Sequence, residues 1–523
     1  MSQIISSRQT LLSCVNQQPS LRKIINVSAS DTRLVEARAS LLLSSIHRSH
    51  GALQESLTSA TYLNSITESC RDLGLNIEAA AYFEVANAMW DQGEMASSIG
   101  MLQELEQLSN LKQQTIPIGK SKILAKIASQ VSMAKLEKPD RIIEKYLSPA
   151  LAELKGKTDG SDAGQVYHEF AVFCDRQYQD PDSIEDLERL RTLKEMKEME
   201  VETLLKLSKE ATSGQKQRNH RAYNQAKQWL ALDTEEYERL NDGRGQLLRR
   251  SLENYLLSLA AWDDHNNDAL RFTALWLEHS DEEVVSESVS KHLFKVATLK
   301  FASLANQLTS RLLDTKDEFQ VLLLGLVLNI CKDHPHHGMY QIWAGTNSNP
   351  SANDETALSR QKATKEVALK LSKSPRSGGT WSAIDRISHQ YCHFASEREK
   401  VKSGSKIRLS NSPAGSALNA MLQKNPLPPP TLQIELAADK NYSRLPTMIS
   451  VDPSFSIASG ISAPKIVTLL ASNGKRYKQL VGVYFLRIWY LKYLLMCRRL
   501  RVVLTISGKM QSWSRSSHKS ANS

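Results

Sequence analysis

The sequence predicts a mainly α chain that ends in a small antiparallel β region, and three observations lead there. Prolines are scarce early: of 16 in 523 residues, only Pro19, Pro117, Pro139, Pro149 and Pro181 precede Asp333, while seven crowd into Pro426–Pro464. Proline lacks a donor and clashes inside helices, so long proline-free runs permit them. Amphipathic runs also recur with breaks near Gly93, Pro139 and Pro181, spaced about 45 residues apart as in paired-helix repeats. Past Pro426 the apolar period changes from 3.6 to 2.

The elements follow in order. Ala81, Val85, Ala86 and Met89/Trp90 form one stripe, broken at Asp91-Gln92-Gly93-Glu94, and Met95, Ile99, Leu102, Leu105 and Leu108 form the next. This pair is loosely tetratricopeptide-like. Ile123, Ile127, Val131 and Ala134 repeat the pattern, as do Val166, Phe170, Phe173 and Tyr178. A helix pair cannot bury its apolar face alone, so neighbours should stack into an α-solenoid; an irregular bundle is the plainer alternative. Ser183–Glu210 is charge-dense. No apolar heptad runs there for three repeats, so a solvated outer helix is expected rather than a coiled-coil seam. Leu252–Leu259 and Leu270–Leu277 flank an Asp/Asn loop suited to turns and caps. Residues 346–425 read as a connector with one short helix and loops. Thr431–Leu436 alternates like a strand, Thr447–Val451 is β-branched, and Ile466–Leu470 and Lys475–Val481 flank a hairpin turn at Ser472-Asn473-Gly474.

Composition narrows the function classes. Hydrophobic residues at 41% and charged residues at 23% exclude a wholly disordered chain. The net charge of +10 invites a nucleic-acid reading, but eight positive charges and no acid lie in Gly482–Ser523. The remaining +2 is no electrostatic footprint for DNA. The apolar stretch Val483–Ile506 contains Arg487, Lys492, Arg498, Arg499 and Arg501, so it is a poor membrane span. The six cysteines are too far apart for a zinc knuckle or a CxxC pair, which favours a reducing compartment.

Two clusters could carry chemistry. Asp333-His334-Pro335-His336-His337 is dense in metal-ligand types, yet Pro335 stops a helix there and no Cys or Glu follows at ligand spacing. The structural reading, a helix end, is preferred. Ser459–Lys465 is rich in small residues whose N–H groups can approach an anion. It departs from the GxxxxGK[ST] pattern, and a plain turn would look similar.

Several segments resemble one family. Leu326–His337, ending in Asp333-His334-Pro335-His336-His337, resembles the end of the FAT domain of the ATM/Tel-type phosphatidylinositol-3-kinase-related protein kinases. Pro426-Leu427-Pro428-Pro429-Pro430-Thr431, Gly460–Ile466 and Ser472–Val481 resemble successive parts of their kinase N-lobe. The resemblance implies a FAT-type α-solenoid over 1–345, the connector over 346–425 and a partial N-lobe over 426–481. It places a partial phosphate loop at Gly460, Ser462, Ala463, Pro464 and Lys465, and assigns no metal ligand. It implies ATP and Mg²⁺ as the family's cofactors, protein substrates at Ser/Thr-Gln, protein partners along the solenoid, and a nuclear role in DNA damage checkpoint signalling and telomere maintenance. Direct DNA and membrane binding are not expected.

The departures weigh equally. Gly482 stands where the family has its ATP lysine, and neither the catalytic loop nor the magnesium site follows. The chain is therefore expected to be catalytically inactive; a non-catalytic scaffold is the alternative function. Residues 482–523 have no family counterpart and are expected to be disordered or mis-spliced, with Met1 opening a fragmentary gene model. The last strands of an incomplete lobe are expected to be poorly ordered.

Overall fold

The structure, a computed structural model, describes residues 2–210, 213–397, 405–459 and 464–482. It divides into two compact units, Met1–Trp276 and Leu277–Ser523. Among the described residues no helix is long and apolar enough to cross a membrane.

In the first unit, α1 (Ser2–Gln17), α2 (Ala29–Ser49), α3 (Leu53–Ser65), α4 (Glu78–Asp91), α5 (Met95–Glu106), α6 (Lys120–Met133) and α7 (Ser161–Tyr178) pack one after another, each on its neighbour in sequence. This is the stacking that the repeated apolar stripes predict. The breaks have local causes. Gly93 closes α4 at φ +92°, a left-handed backbone that disfavours any side chain. Pro139 and Pro181 sit at helix starts, where the missing N–H costs nothing. Ile99, Leu102, Ile123, Ile127, Val166 and Phe170 share one core. α4 is buried on nearly all sides: Ala79, Ala80, Ala81, Ala86 and Ala88 allow close approach, and its buried Glu84 is ion-paired with Arg48 at 2.8 Å.

α8 (Pro181–Glu210) and α9 (Ser213–Ala261) form a long antiparallel hairpin; at 49 residues α9 is about 73 Å long. Against expectation, α8 does carry a heptad. Its less exposed positions are Leu187, Leu190, Lys194, Lys197, Val201 and Leu204, in alternating steps of three and four. On α9 they include Tyr223, Ala226, Leu230, Tyr237, Leu240 and Arg244. Two lysines occupy the seam, so a search for apolar heptads breaks there. Lys194 Nζ lies 5.3 Å from the centre of the Tyr237 ring, a cation–π contact that lets a charge sit in the seam.

Beyond the hairpin, polar ties join α7 to α9 and to α10 (Asp268–Glu278). Arg271 donates twice to the Asp175 carboxylate, at 2.6 and 2.7 Å, and the Tyr255 hydroxyl donates to the same group at 2.9 Å. His168 Nδ1 and Ser258 Oγ meet the Asp268 carboxylate at 2.9 and 3.0 Å.

The second unit contains α11 (Glu318–Asp333), α12 (Pro335–Thr346), α13 (Glu355–Ser372), α14 (Gly378–Ser396) and α15 (Pro413–Lys424). The stretch read as a connector with one short helix thus holds three α-helices among its described residues. Its turn-forming residues are caps: Asp354 and Ser412 accept from the N–H groups of Ala357 and Gly415.

A five-stranded antiparallel sheet follows: β1 (Lys406–Arg408), β2 (Met448–Val451), β3 (Ser454–Ile457), β4 (Lys465–Ala471) and β5 (Arg476–Val481). β2 and β3 pair with opposite halves of β4 and are separated by Asp452-Pro453, where proline interrupts the ladder. β5 pairs with β4 from Lys465↔Val481 to Leu470↔Arg476, so the last strands do form. The turn between them is the expected one, with Gly474 at φ +73° and Asn473 accepting from the Lys475 N–H.

Thr431–Leu436 is not a strand. Its side chains alternate in exposure, but Pro428–Pro430 and Pro446 bracket it and among the described residues no strand pairs with it. Residues 483–523 lie outside the described residues, and with them the expectations for the tail.

Replacing Lys197 in the α8–α9 seam by leucine should strengthen the hairpin by about 1 kcal/mol, since a half-buried charged position becomes apolar. Thermal unfolding followed by circular dichroism would show a higher midpoint; a lower one would show that the lysine's ion pair with Glu200 outweighs the burial.

Candidate functional site

The sheet sets the geometry around the expected phosphate loop. Lys465, Val467, Leu469 and Ala471 share one face of β4 and are all buried, while Ile466, Thr468 and Leu470 on the other face are half-buried. α15 packs against β2, and α14 against β5. Gln479 on β5 reaches back to α14, donating to the Tyr391 hydroxyl at 2.7 Å.

Of the five expected loop residues, Gly460, Ser462 and Ala463 lie outside the described residues. Pro464 and Lys465 are described. Lys465 opens β4 with its side chain only 4% exposed. Its ammonium donates to the Phe394 carbonyl near the end of α14 at 2.6 Å and lies 3.8 Å from the Glu397 carboxylate. The Phe394 and Phe455 rings stand 4.4 and 5.6 Å from it. Glu397 in turn accepts from the hydroxyl of Ser412, the N-cap of α15. The buried cation therefore ties the sheet to the C-terminus of α14, where the helix end and the rings favour positive charge, and Glu397 carries the tie on to the N-terminus of α15, which favours its negative charge. Its charge points into the protein.

Gly482, expected from the resemblance to stand at the position of the family's ATP lysine, lies against Pro464: a Cβ built on it would meet Pro464 Cβ at 3.0 Å. Asp452, on the same sheet, pairs with Arg476 at 3.8 Å.

The histidine cluster is a helix junction. α11 ends at Asp333, α12 starts at Pro335, and His334 lies between them, fully buried. Thr298 Oγ1 donates to Asp333 at 2.8 Å and lies 3.3 Å from His334 Nε2. That network assigns the proton to Nε2, which leaves Nδ1 to accept from the Tyr442 hydroxyl at 2.7 Å. His337 Nε2 donates to the Ile434 carbonyl at 3.1 Å. Burial, and then the neighbouring His337, push the His336 pKa down to about 4. Burial opposes the Asp333 carboxylate, but hydrogen bonds from Lys440 and Thr298 and the charges of Lys440 and Arg376 outweigh it and hold its pKa below the usual value. Among the described residues no group of three or more His, Cys, Asp or Glu is arranged to hold a metal ion. Tyr442 is the residue that sequence reasoning missed; nothing in its local pattern shows that it meets a histidine more than 100 positions earlier.

No family model matches the chain. It is 49% identical over 484 residues to the serine/threonine-protein kinase TEL1 of Gibberella zeae, covering 92% of this chain and 16% of that protein. A solved structure of the FAT and kinase domain of CtTel1 matches with a TM-score of 0.78 at 48% identity, over 92% of this chain and 32% of the other. A complete CtTel1 dimer with C2 symmetry matches with a TM-score of 0.78 at 48% identity, over 92% and 17%. The chain thus spans only a small part of the relatives it matches.

Lys465→Met should destabilise the second unit by about 3 kcal/mol, because Glu397 and the Phe394 carbonyl lose a buried cation. Adding Glu397→Gln should recover part of the loss. Urea unfolding of the full chain measures both; an unchanged midpoint for Lys465→Met would show that the buried contacts contribute nothing net.

Proposed function

We infer that this chain, which over 92% of its length belongs with the Tel1-type phosphatidylinositol-3-kinase-related kinases, serves as part of an ATM/Tel-type serine/threonine protein kinase and transfers no phosphate itself. It comprises a FAT-type helical region and a kinase N-lobe fragment. The observation that carries the reading is the agreement of sequence and fold: 49% identity to a Tel1 kinase over 484 residues, and a TM-score of 0.78 to a Tel1 FAT and kinase structure over the same share of the chain. For the whole kinase we propose ATP and Mg²⁺ as cofactors, Ser/Thr-Gln sites in proteins as substrates, and a nuclear role in DNA damage checkpoint signalling and telomere maintenance.

The inactivity of the chain rests on chemistry. Phosphoryl transfer needs a lysine on the phosphates, a metal-binding carboxylate and a base near the acceptor hydroxyl. Here Gly482 holds the lysine's place, Lys465 faces inward, and Asp452 is paired with Arg476.

A second reading, a helical scaffold for protein partners, is favoured by the α8–α9 hairpin. Met196, Met199, Trp229 and Leu232 there are each more than half exposed. Such apolar exposure suits protein contact. The CtTel1 structure solved as a dimer makes a second copy the first partner to test.

Two measurements separate these readings. Transfer of labelled phosphate from ATP to a Ser-Gln peptide, with Mg²⁺ and the purified chain, should not exceed the blank; chelator-sensitive transfer would overturn the inactivity. Sedimentation should show self-association that weakens in Trp229→Ala; a monomer at all concentrations would count against the scaffold acting through a second copy.

A further inference from the structure

The segment joining α15 to β2 is a closed loop with an unusual division between base and tip. The Met448 N–H donates to the Leu427 carbonyl at 2.8 Å, so the two ends of the loop meet. Thr447 is also bonded twice to Ser472 in the β4–β5 turn, at 3.0 and 2.8 Å. Leu427, Pro428 and Pro429 are buried, whereas from Pro430 to Thr447 no residue is. The tip holds its own shape. Leu432, Lys440 and Leu445 N–H groups bond to carbonyls three residues back, and Asp439 and Asn441 accept from the N–H groups of Asn441 and Ser443.

The tip meets the α11–α12 junction through three polar ties. His337 Nε2 donates to the Ile434 carbonyl at 3.1 Å, and Lys440 Nζ lies 2.7 Å from the Asp333 carboxylate. The Tyr442 hydroxyl, which accepts from the Ala437 N–H at 3.2 Å, meets His334 Nδ1 at 2.7 Å. The Tyr442 ring stands between three imidazoles, 6.0 Å from His334, 5.6 Å from His336 and 5.9 Å from His337. A self-contained tip with a buried base and a few polar ties can leave as one body at small cost, because little apolar area is uncovered.

We propose that Pro430–Thr447 is a releasable clasp that couples the α11–α12 junction to β2, with the Tyr442–His334 contact as its catch. Its base runs directly into β2, and β2 pairs with β4. A shift of the helix junction is therefore passed to the sheet while the clasp is closed and is lost when it opens. The clasp stands on the geometry of the second unit alone.

Hydrogen exchange read by mass spectrometry on the full chain tests it. Tyr442→Phe keeps the ring and removes the catch. Exchange across 430–447 should become roughly fivefold faster, with α11 and β4 unchanged. Lys440→Ala, an exposed substitution, should act in the same direction, and the double variant should also speed exchange in β2. Unchanged exchange across 430–447 in both single variants would overturn the proposal. So would a rise of equal size in α11 and β4, since Tyr442 would then be ordinary packing.

Discussion

The buried ammonium of Lys465 is the interaction on which the sheet's attachment depends. β4 is the central strand, paired with β2 and β3 on one side and β5 on the other. Its first buried side chain is a cation placed where a carbonyl at the end of α14, a carboxylate bonded to the N-cap of α15 and two aromatic rings converge. A charge removed from water is costly unless each of its donors is answered. Here the direct answers come from the end of α14 and from β3, and Glu397 extends the tie to the N-cap of α15, so the cation fixes their relative places more narrowly than an apolar residue of the same size would. The first charge after Pro464 is thus occupied internally.

The same device recurs within each unit. The alanine-rich face of α4 lets helices approach closely but gives little area, and the Arg48–Glu84 pair adds direction to that contact. Asp175 gathers Arg271 and Tyr255, and Asp268 gathers His168 and Ser258. Asp333 and His334 close the α11–α12 junction in the same way. The apolar core supplies most of the stabilisation, and these polar ties select one helix arrangement among several of similar packing.

What could be read from the sequence follows from locality. The helix breaks at Gly93, Pro139 and Pro181, the helix end at Asp333 and the turn at Ser472-Asn473-Gly474 are local, and all were legible. The inward position of Lys465 was not: both faces of Lys465–Ala471 carry apolar residues, so alternation alone cannot say which face meets the helices. The heptad of α8 was hidden by Lys194 and Lys197: the first lies over the Tyr237 ring of the partner helix and the second pairs with Glu200 on its own. Thr431–Leu436 has a strand's alternation, yet its carbonyl at Ile434 is taken by a histidine from α12. The helices of 346–425 were obscured by turn-forming residues, of which Asp354 and Ser412 serve as N-caps. For Lys465, Lys194 and Ile434 the deciding partner lies far away in sequence. The family resemblance, by contrast, rests on contiguous motifs and was legible throughout.

Amine labelling of the native chain tests most directly whether Lys465 is an internal tie rather than a nucleotide contact. An acetylating reagent, with peptide mapping, reports the reactivity of each lysine with and without ATP and Mg²⁺. Lys465 should stay unlabelled in both conditions and react only after unfolding, while exposed Lys475 and Lys478 react throughout. Labelling of Lys465 in the folded chain that ATP suppresses would contradict the account.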